Sequence, residues 1–127
     1  MNRACVDTSV LIAIAFGEAG GTALARDLDG FDELFAANLL EAELRAAFVR
    51  EAVVPDASLL GPLTWIIPDR PIGAEIERVL TTGYLRGADA WHLACALYLA
   101  PDPAEFTFLT LDDHQEAVAA ALGFATG

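Results

Sequence analysis

Four acidic residues stand at positions from which their carboxylates could act together. They are Asp7, Glu43, Asp89 and Asp112. The first of them, Asp7, interrupts the apolar run 4–12 where a predicted buried strand gives way to a helix. Because a buried carboxylate without a partner costs several kcal/mol or protonates, Asp7 either caps the helix or takes part in chemistry.

Glu43 differs from its neighbour Glu41 in its predicted surroundings. Glu41 is placed to complete a capping box with Asn38 and to pair with Arg45 one turn later. The residues three and four positions from Glu43 are all apolar: Leu39, Leu40, Ala46 and Ala47. A carboxylate framed by apolar side chains favours a site residue, so we interpret Glu41 as structural and Glu43 as functional.

Asp89 has a structural alternative, because acids are favoured in the first turn of a helix. Arg86, three residues earlier, is placed to pair with it. His92 lies on the same helical face, either as a hydrogen-bonded core residue or as a support for the site.

Capping also competes with function at the last acid. Asp112 with Gln115, and equally Asp113 with Glu116, would make a helix cap with its partner three residues later. Taken alone, Asp112 is explained by capping. Its position beside a predicted sheet end, shared with the other three acids, favours a site.

The elements that must position these acids alternate along the chain. Strands are predicted at 3–6, 32–37, 65–67 and 106–110. Helices are predicted at 10–16, through Leu24 and Leu28, at 38–53, 72–80 and 87–99, and after Asp112, with a short helical connection at 56–63. This alternation predicts an α/β fold with a parallel sheet covered on both faces.

The carboxyl ends of parallel strands are where functional groups gather, and all four acids follow or lie near such ends. Several carboxylates brought together cannot all ionise cheaply unless a cation joins them. Hard oxygen ligands with room for water and phosphate suit Mg²⁺ or Mn²⁺. The pattern therefore predicts a divalent metal site.

The charge composition excludes several phosphate chemistries. The 127 residues form one predicted domain, 1–127, with 19 acids, 7 bases and a net charge of −12, and every base is arginine. Without lysine there is no P-loop, phospho-acceptor receiver site or haloacid-dehalogenase-type phosphatase site. The acidity argues against strong unaided nucleic-acid binding, which metal ions or a basic partner could offset.

The hydrophobic content of 55% predicts a dense core. No apolar run approaches the length of a membrane span, and no signal-peptide pattern is present, so we expect a cytoplasmic protein with no membrane association. Cys5 and Cys95 each lie among apolar residues, which indicates buried free thiols.

Four segments resemble the motifs of PIN-domain ribonucleases, in order and with suitable spacing. They are DTSVLI at 7–12, ELRAA at 43–47, ADAWHLACA at 88–96, and FLTLD at 108–112 followed by ALGF at 121–124. The third is the most specific. The short single-domain form resembles the VapC-type toxins of toxin-antitoxin pairs. Where the family's second motif often begins with Ser or Thr, this chain has Ala-Ala-Asn at 36–38.

The resemblance implies a three-layer α/β/α domain with a mainly parallel sheet, Mg²⁺- or Mn²⁺-dependent endoribonuclease activity, homodimerisation, and inhibition by a cognate antitoxin whose tail enters the acidic site. The matching positions imply catalytic acids at Asp7, Glu43, Asp89 and Asp112, with Asp7, Asp89 and Asp112 as metal ligands. Thr8 and Thr110 would be polar supports. RNA contacts would fall to Arg45, Arg50 and Arg86.

The hypothesis is thus metal-assisted hydrolysis of RNA phosphodiester bonds. Two alternatives stay open: a PIN-type nuclease outside any toxin pair, and a non-catalytic PIN-like scaffold that binds RNA or protein. The complete set of acids speaks against the scaffold, because a chain released from catalysis has no reason to keep an expensive carboxylate cluster.

Overall fold

A five-stranded parallel sheet runs through the computed structural model, which describes residues 1–127. The strands are β1 (Arg3–Val6), β2 (Glu33–Ala37), β3 (Leu63–Ile66), β4 (Phe106–Leu109) and β5 (Ala125–Thr126). Their order across the sheet is β3-β2-β1-β4-β5, and every neighbouring pair is parallel. The sequence did not predict β5, which is a two-residue exposed edge strand without an apolar pattern.

Six α-helices cover the two faces of this sheet. They are α1 (Thr8–Ala15), α2 (Gly21–Asp29), α3 (Leu39–Arg50), α4 (Gly73–Thr82), α5 (Gly87–Leu99) and α6 (Asp113–Leu122). Short 3-10 turns at Ala57–Leu60 and Pro103–Glu105 precede β3 and β4. This arrangement confirms the predicted three-layer α/β/α fold. No helix combines the length and apolar character needed to span a bilayer.

Strand β1 shows why the chain begins with an unbroken apolar run. Ala4 and Val6 pack into a core with α1, α2 and α3, whereas Cys5 between them packs into a second core with α4, α5 and α6. Successive side chains of a strand point to opposite faces, so a strand covered on both sides is apolar throughout. The short strand β1 therefore contributes side chains to both cores.

Both cysteines are free and buried, as predicted. Burial raises the pKa of Cys95 to about 12, and burial with a smaller contribution from Cys95 raises the pKa of Cys5 to about 12. The thiols are therefore protonated and inert at neutral pH.

The direction of winding reverses beside β1. From β1 the chain moves to β2 and β3 on one side, then returns across the other face to β4 and β5 on the opposite side. A crevice opens at the carboxyl ends of two strands where the order reverses, and this is where open α/β sheets bind ligands. Asp7 follows β1 and Asp112 follows β4 at this point.

Several predicted boundaries were wrong by a few residues. Helix α1 begins at Thr8 rather than at residue 10, because Asp7 caps it. Helix α3 ends at Arg50 rather than at residue 53. Pro55 disfavours helical geometry in the residue before it, and the chain turns at Ala52, whose φ is +53°. Strand β3 ends at residue 66 rather than 67 and begins two residues earlier than predicted.

The predicted capping box of α3 was also wrong. Asn38 is the cap residue, but its backbone is helical and its side chain bonds no backbone amide of α3. Its Oδ1 instead accepts a hydrogen bond from Trp91 Nε1 at 3.2 Å. The Asn38 side chain therefore bonds Trp91 of α5 instead of capping α3. The spacing within α3 could not indicate this partner. The predicted Glu41 pair with Arg45 does form, at 2.7 Å.

Candidate active site

Asp7 both caps a helix and faces a cleft, so the two interpretations of it are compatible. Its side chain is buried, with 5% of the residue exposed. Oδ2 accepts a hydrogen bond from the Ser9 amide at 3.1 Å and lies 3.4 Å from Thr110 Oγ1. Oδ1 accepts one from Gln115 Nε2 at 3.2 Å. These bonds offset the cost of burying the charge and fix the orientation of the carboxylate.

Glu43 is held by side chains from two other helices. Its Oε1 accepts a hydrogen bond from Thr8 Oγ1 at 2.7 Å and lies 2.6 Å from His92 Nε2. His92 is buried, and its Nδ1 has no partner, so a proton on Nε2 donates to Glu43. His92 Nε2 also lies 3.9 Å from Asp7 Oδ1. Helices α1, α3 and α5 thus meet at one carboxylate oxygen.

Asp89, in the first turn of α5, has no hydrogen bond to its carboxylate. Burial raises its pKa above the ordinary Asp value, and the nearby charges of Asp7, Asp112 and Glu43 raise it further, against an opposing effect of His92.

The predicted pair between Arg86 and Asp89 does not form. Arg86 is the N-cap residue of α5 and has extended backbone angles, with φ −62° and ψ 155°. Residues three apart face each other only when both are helical, and the extended backbone of Arg86 removes that geometry. No arginine therefore neutralises Asp89.

Asp112 caps α6, as its spacing predicted: Oδ1 accepts a hydrogen bond from the Gln115 amide at 2.9 Å. The reciprocal half of the predicted cap is missing, because the Gln115 side chain turns inward to Asp7. Asp113, one residue further, is exposed and lies outside the cleft lining.

The four predicted acids converge on one cleft at the carboxyl edge of the sheet. Its volume is about 390 Å³, and its lining includes Asp7, Glu43, Asp89 and Asp112 with Thr8, Ser9 and Arg50. Arg50 also pairs with Glu51 at 3.1 Å. Arg45 lies outside this lining, paired with Glu41, and Arg86 lines an adjoining pocket.

Two residues that hold the site were missed by the sequence analysis. Gln115 is completely buried; its Nε2 donates to Asp7 Oδ1 and to the Asp89 carbonyl, each at 3.2 Å, and its Oε1 accepts from Thr110 at 2.6 Å. Ser9 Oγ accepts from the Leu111 amide at 3.0 Å. The spacing from Asp112 to Gln115 was visible in the sequence, but it indicated only a cap.

The cleft suits a divalent metal ion in the kind of donor it offers. Its acids supply hard oxygen atoms, and burial together with the neighbouring acids raises the pKa of Asp89. No group of three or more His, Cys, Asp or Glu side chains is already gathered closely enough to hold a metal ion. Binding therefore requires the side chains to turn inward, and Asp89, which no hydrogen bond restrains, is the freest to do so.

Comparison with known proteins gives one match. The family model described as PIN domain matches residues 4–121. No curated protein and no solved structure matches this chain significantly. The matched range includes all four acids of the cleft. This chain belongs to the PIN-domain family.

Proposed function

We propose that this protein is a metal-dependent endoribonuclease that hydrolyses RNA phosphodiester bonds, and that it is the toxin of a type II toxin-antitoxin pair. Membership of the PIN family indicates a nuclease, and hence a hydrolase acting on nucleic acid. The observation that supports metal dependence is the convergence of four carboxylates on one cleft, where burial and then the acidic neighbours raise the pKa of Asp89.

In this proposal Asp7, Asp89 and Asp112 hold Mg²⁺ or Mn²⁺. The ion, when bound, supplies a water of lowered pKa and neutralises charge that develops on the phosphate. Asp7 is already oriented by its hydrogen bonds with Ser9 and Gln115. Fixed orientation of this kind lowers the cost of arranging the site at the moment of reaction.

Glu43 acts as a base or water-orienting group in the same scheme. Its Oε1 is fixed by Thr8 and His92, whereas no hydrogen bond holds its Oε2. The free oxygen is available to accept a proton or a hydrogen bond from a water in the cleft. Thr8 and His92 are positioning residues in this scheme, since they act through Glu43.

The charge of the protein supports a partner with a basic segment. A net charge of −12 and an acidic cleft attract a cationic peptide, and an antitoxin tail with arginine or lysine would neutralise the site while blocking it. We propose such an antitoxin as partner and a homodimer as the working form. The proposed compartment is the cytoplasm.

The test of the nuclease is cleavage of a labelled RNA by Asp7→Asn and by the matched variant Asp113→Asn. Both remove one negative charge, but only Asp7 lines the cleft. Asparagine keeps an oxygen acceptor for the helix cap, so the fold is retained. We expect Asp7→Asn to lose more than about 100-fold in rate, beyond what removal of an outer-shell partner costs. Asp113→Asn should cleave like the unmodified protein.

Equal rates for Asp7→Asn and the unmodified protein would contradict the assignment. Calorimetric titration with Mn²⁺ separates the nuclease from an inert scaffold, because a scaffold binds no metal at millimolar concentration. Expression of the chain alone and with the small protein of the neighbouring reading frame tests the toxin. Growth arrest that the neighbour relieves supports the pair, whereas cleavage without arrest indicates a nuclease outside it.

A further inference from the structure

A second pocket adjoins the acidic cleft and shares two of its acids. Its volume is about 650 Å³, and it is lined by Tyr84, Leu85, Arg86, Asp89, Asp112 and His114. Asp89 and Asp112 also line the cleft, so the two cavities lie side by side. The wall beyond these acids differs from the cleft because it carries two flat rings and an arginine that pairs with no carboxylate, whereas Arg50 in the cleft pairs with Glu51.

Arg86 is the cation of this wall, and no carboxylate neutralises it. Four of the chain's seven arginines pair with a glutamate: Arg3, Arg45, Arg50 and Arg70. Arg86 has no such partner, although Asp89 is three residues away. A guanidinium left free beside an acidic centre is suited to bind a phosphate of a chain that crosses that centre.

Tyr84 supplies an exposed ring on the same wall. It is 84% exposed and makes no hydrogen bond through its hydroxyl, whereas Leu85 beside it is 5% exposed and anchors the loop in the core. A large aromatic side chain left in water next to a nuclease cleft is suited to stack on an unpaired base. His114, on the first turn of α6, is a second ring in this pocket.

We propose that this pocket binds one unpaired nucleotide beside the scissile phosphate. The base stacks on Tyr84, with His114 as its second neighbour, and Arg86 binds a phosphate of the same strand. The inference rests on the proposed function, since it assumes that RNA crosses the acidic centre. It makes the substrate single-stranded at this point, because a paired base cannot leave its stack to lie on Tyr84 without breaking the duplex.

The experiment measures binding of a labelled single-stranded RNA of about ten nucleotides, and of the same RNA as a duplex, at low salt with Ca²⁺ in place of Mg²⁺. Cleavage of the same strand with Mn²⁺ gives kcat and KM separately. The variants are Tyr84→Ala, Tyr84→Phe and Arg86→Gln. Arg78→Gln is the matched control, because Arg78 is also exposed and pairs with no carboxylate but lies outside both cavities.

We expect Tyr84→Ala to weaken single-strand binding by about 5- to 150-fold, which corresponds to the loss of one stacked base. Tyr84→Phe should bind normally, since it keeps the ring. Arg86→Gln should weaken binding and reduce the salt dependence by about 0.7 in the log-log slope, the value for one phosphate contact on a single strand. Each loss should appear in KM more than in kcat, and Arg78→Gln should change neither.

The outcomes separate this inference from the proposed function. If the protein cleaves RNA but Tyr84→Ala and Arg86→Gln leave affinity and KM unchanged, the subsite is wrong and the nuclease stands. If Tyr84 and Arg86 govern binding but nothing is cleaved, the subsite stands and the nuclease is wrong. Duplex bound as tightly as single strand, with no effect of Tyr84→Ala, would also overturn the inference. Both side chains are exposed, and a thermal melt confirms that each variant folds.

Discussion

Asp7 and Asp89 lie in the same cleft but are supported in opposite ways. Asp7 is the more deeply buried, and its carboxylate accepts hydrogen bonds from the Ser9 amide and the Gln115 side chain. Asp89 is less buried, accepts none, and has a raised pKa. Burial alone therefore does not decide how a carboxylate is accommodated. What decides is whether donors have been placed around it.

The difference divides the site into a rigid half and an open half. Asp7 and Glu43 are fixed by donors in the protein, so they are organised before any ligand arrives. Asp89 is the group whose charge has no partner of its own, and a cation would gain most by binding there. The protein thus supplies hydrogen-bond donors to Asp7 and none to Asp89. A bound cation could stabilise the charge of Asp89.

Removal of the side chain that donates to Asp7 should destabilise the protein strongly. Gln115→Leu keeps the volume but leaves Asp7 Oδ1 and Thr110 without their buried partner. We expect a loss of about 2–4 kcal/mol in the free energy of unfolding, because each unsatisfied buried group costs roughly 1–3 kcal/mol. Urea denaturation measures it. A loss below about 0.5 kcal/mol would show that Asp7 does not depend on this support.

Asp89→Asn should have the opposite sign in the metal-free protein. It removes a partly buried charge and its repulsion from Asp7 and Asp112, so the melting temperature should rise, by a few degrees at most because the group is partly solvated. The proposed binding of Mn²⁺ should raise the melting temperature of the unmodified protein, and Asp89→Asn should abolish that increase. A destabilised Asp89→Asn protein would mean that Asp89 already has a favourable partner.

Acidification should weaken metal binding through Asp89. Its folded pKa is raised, so the folded protein binds this proton more tightly than the unfolded chain does. This stabilisation of the metal-free protein is complete below the ordinary Asp pKa of about 3.9 and is lost as pH rises through the folded value. Protons and Mn²⁺ compete in that window.

The increase in melting temperature expected from Mn²⁺ binding should therefore become smaller as pH falls towards the folded pKa of Asp89. The groups that face Asp89 are Asp7, Asp112, Glu43 and His92. Melting curves with and without Mn²⁺ across pH test this, with Asp89→Asn as the control. An increment that does not change with pH in the unmodified protein would contradict it.

Glu41 and Glu43 on helix α3 also differ in their surroundings, as the two aspartates do, but the effect on stability should be small. Glu41→Gln breaks an exposed pair with Arg45, and we expect less than about 0.5 kcal/mol in unfolding free energy and no change in cleavage. Glu43→Gln, on the same helix, should lose cleavage, because it exchanges a proton-accepting carboxylate for an amide. Equal activity of the two variants would contradict a catalytic role for Glu43.

The fold and the convergence of acids were predictable because they follow from short-range patterns. Apolar runs such as 4–12 indicate strands covered on both faces, and parallel strands bring the residues that follow them to one edge. The positions of Asp7, Glu43, Asp89 and Asp112 in one cleft are thus a consequence of topology. Their roles as ligands remain predictions.

The parts that could not be predicted depend on contacts between distant segments. Asn38 has the sequence of a cap, but Trp91 from another helix takes its side chain. Gln115 has the spacing of a cap partner, but its amide turns inward to Asp7, more than a hundred positions earlier in the chain. Tyr84 lies in a loop without periodicity, and only the fold brings it beside Asp89 and Asp112. Local spacing contains no information about such partners.

Asp7 both caps α1 and accepts a hydrogen bond from Gln115. This has a consequence for how the protein could lose its activity during evolution. A substitution of Asp7 by a residue without a side-chain oxygen also removes the cap of α1 and the acceptor on Asp7 for the buried Gln115 side chain, so an inactive descendant of that kind would fold less well. A substitution of Asp89 carries no such penalty. Under relaxed selection, drift should therefore erase Asp89 first and retain Asp7, so that inactive descendants would still begin with the motif of an active nuclease.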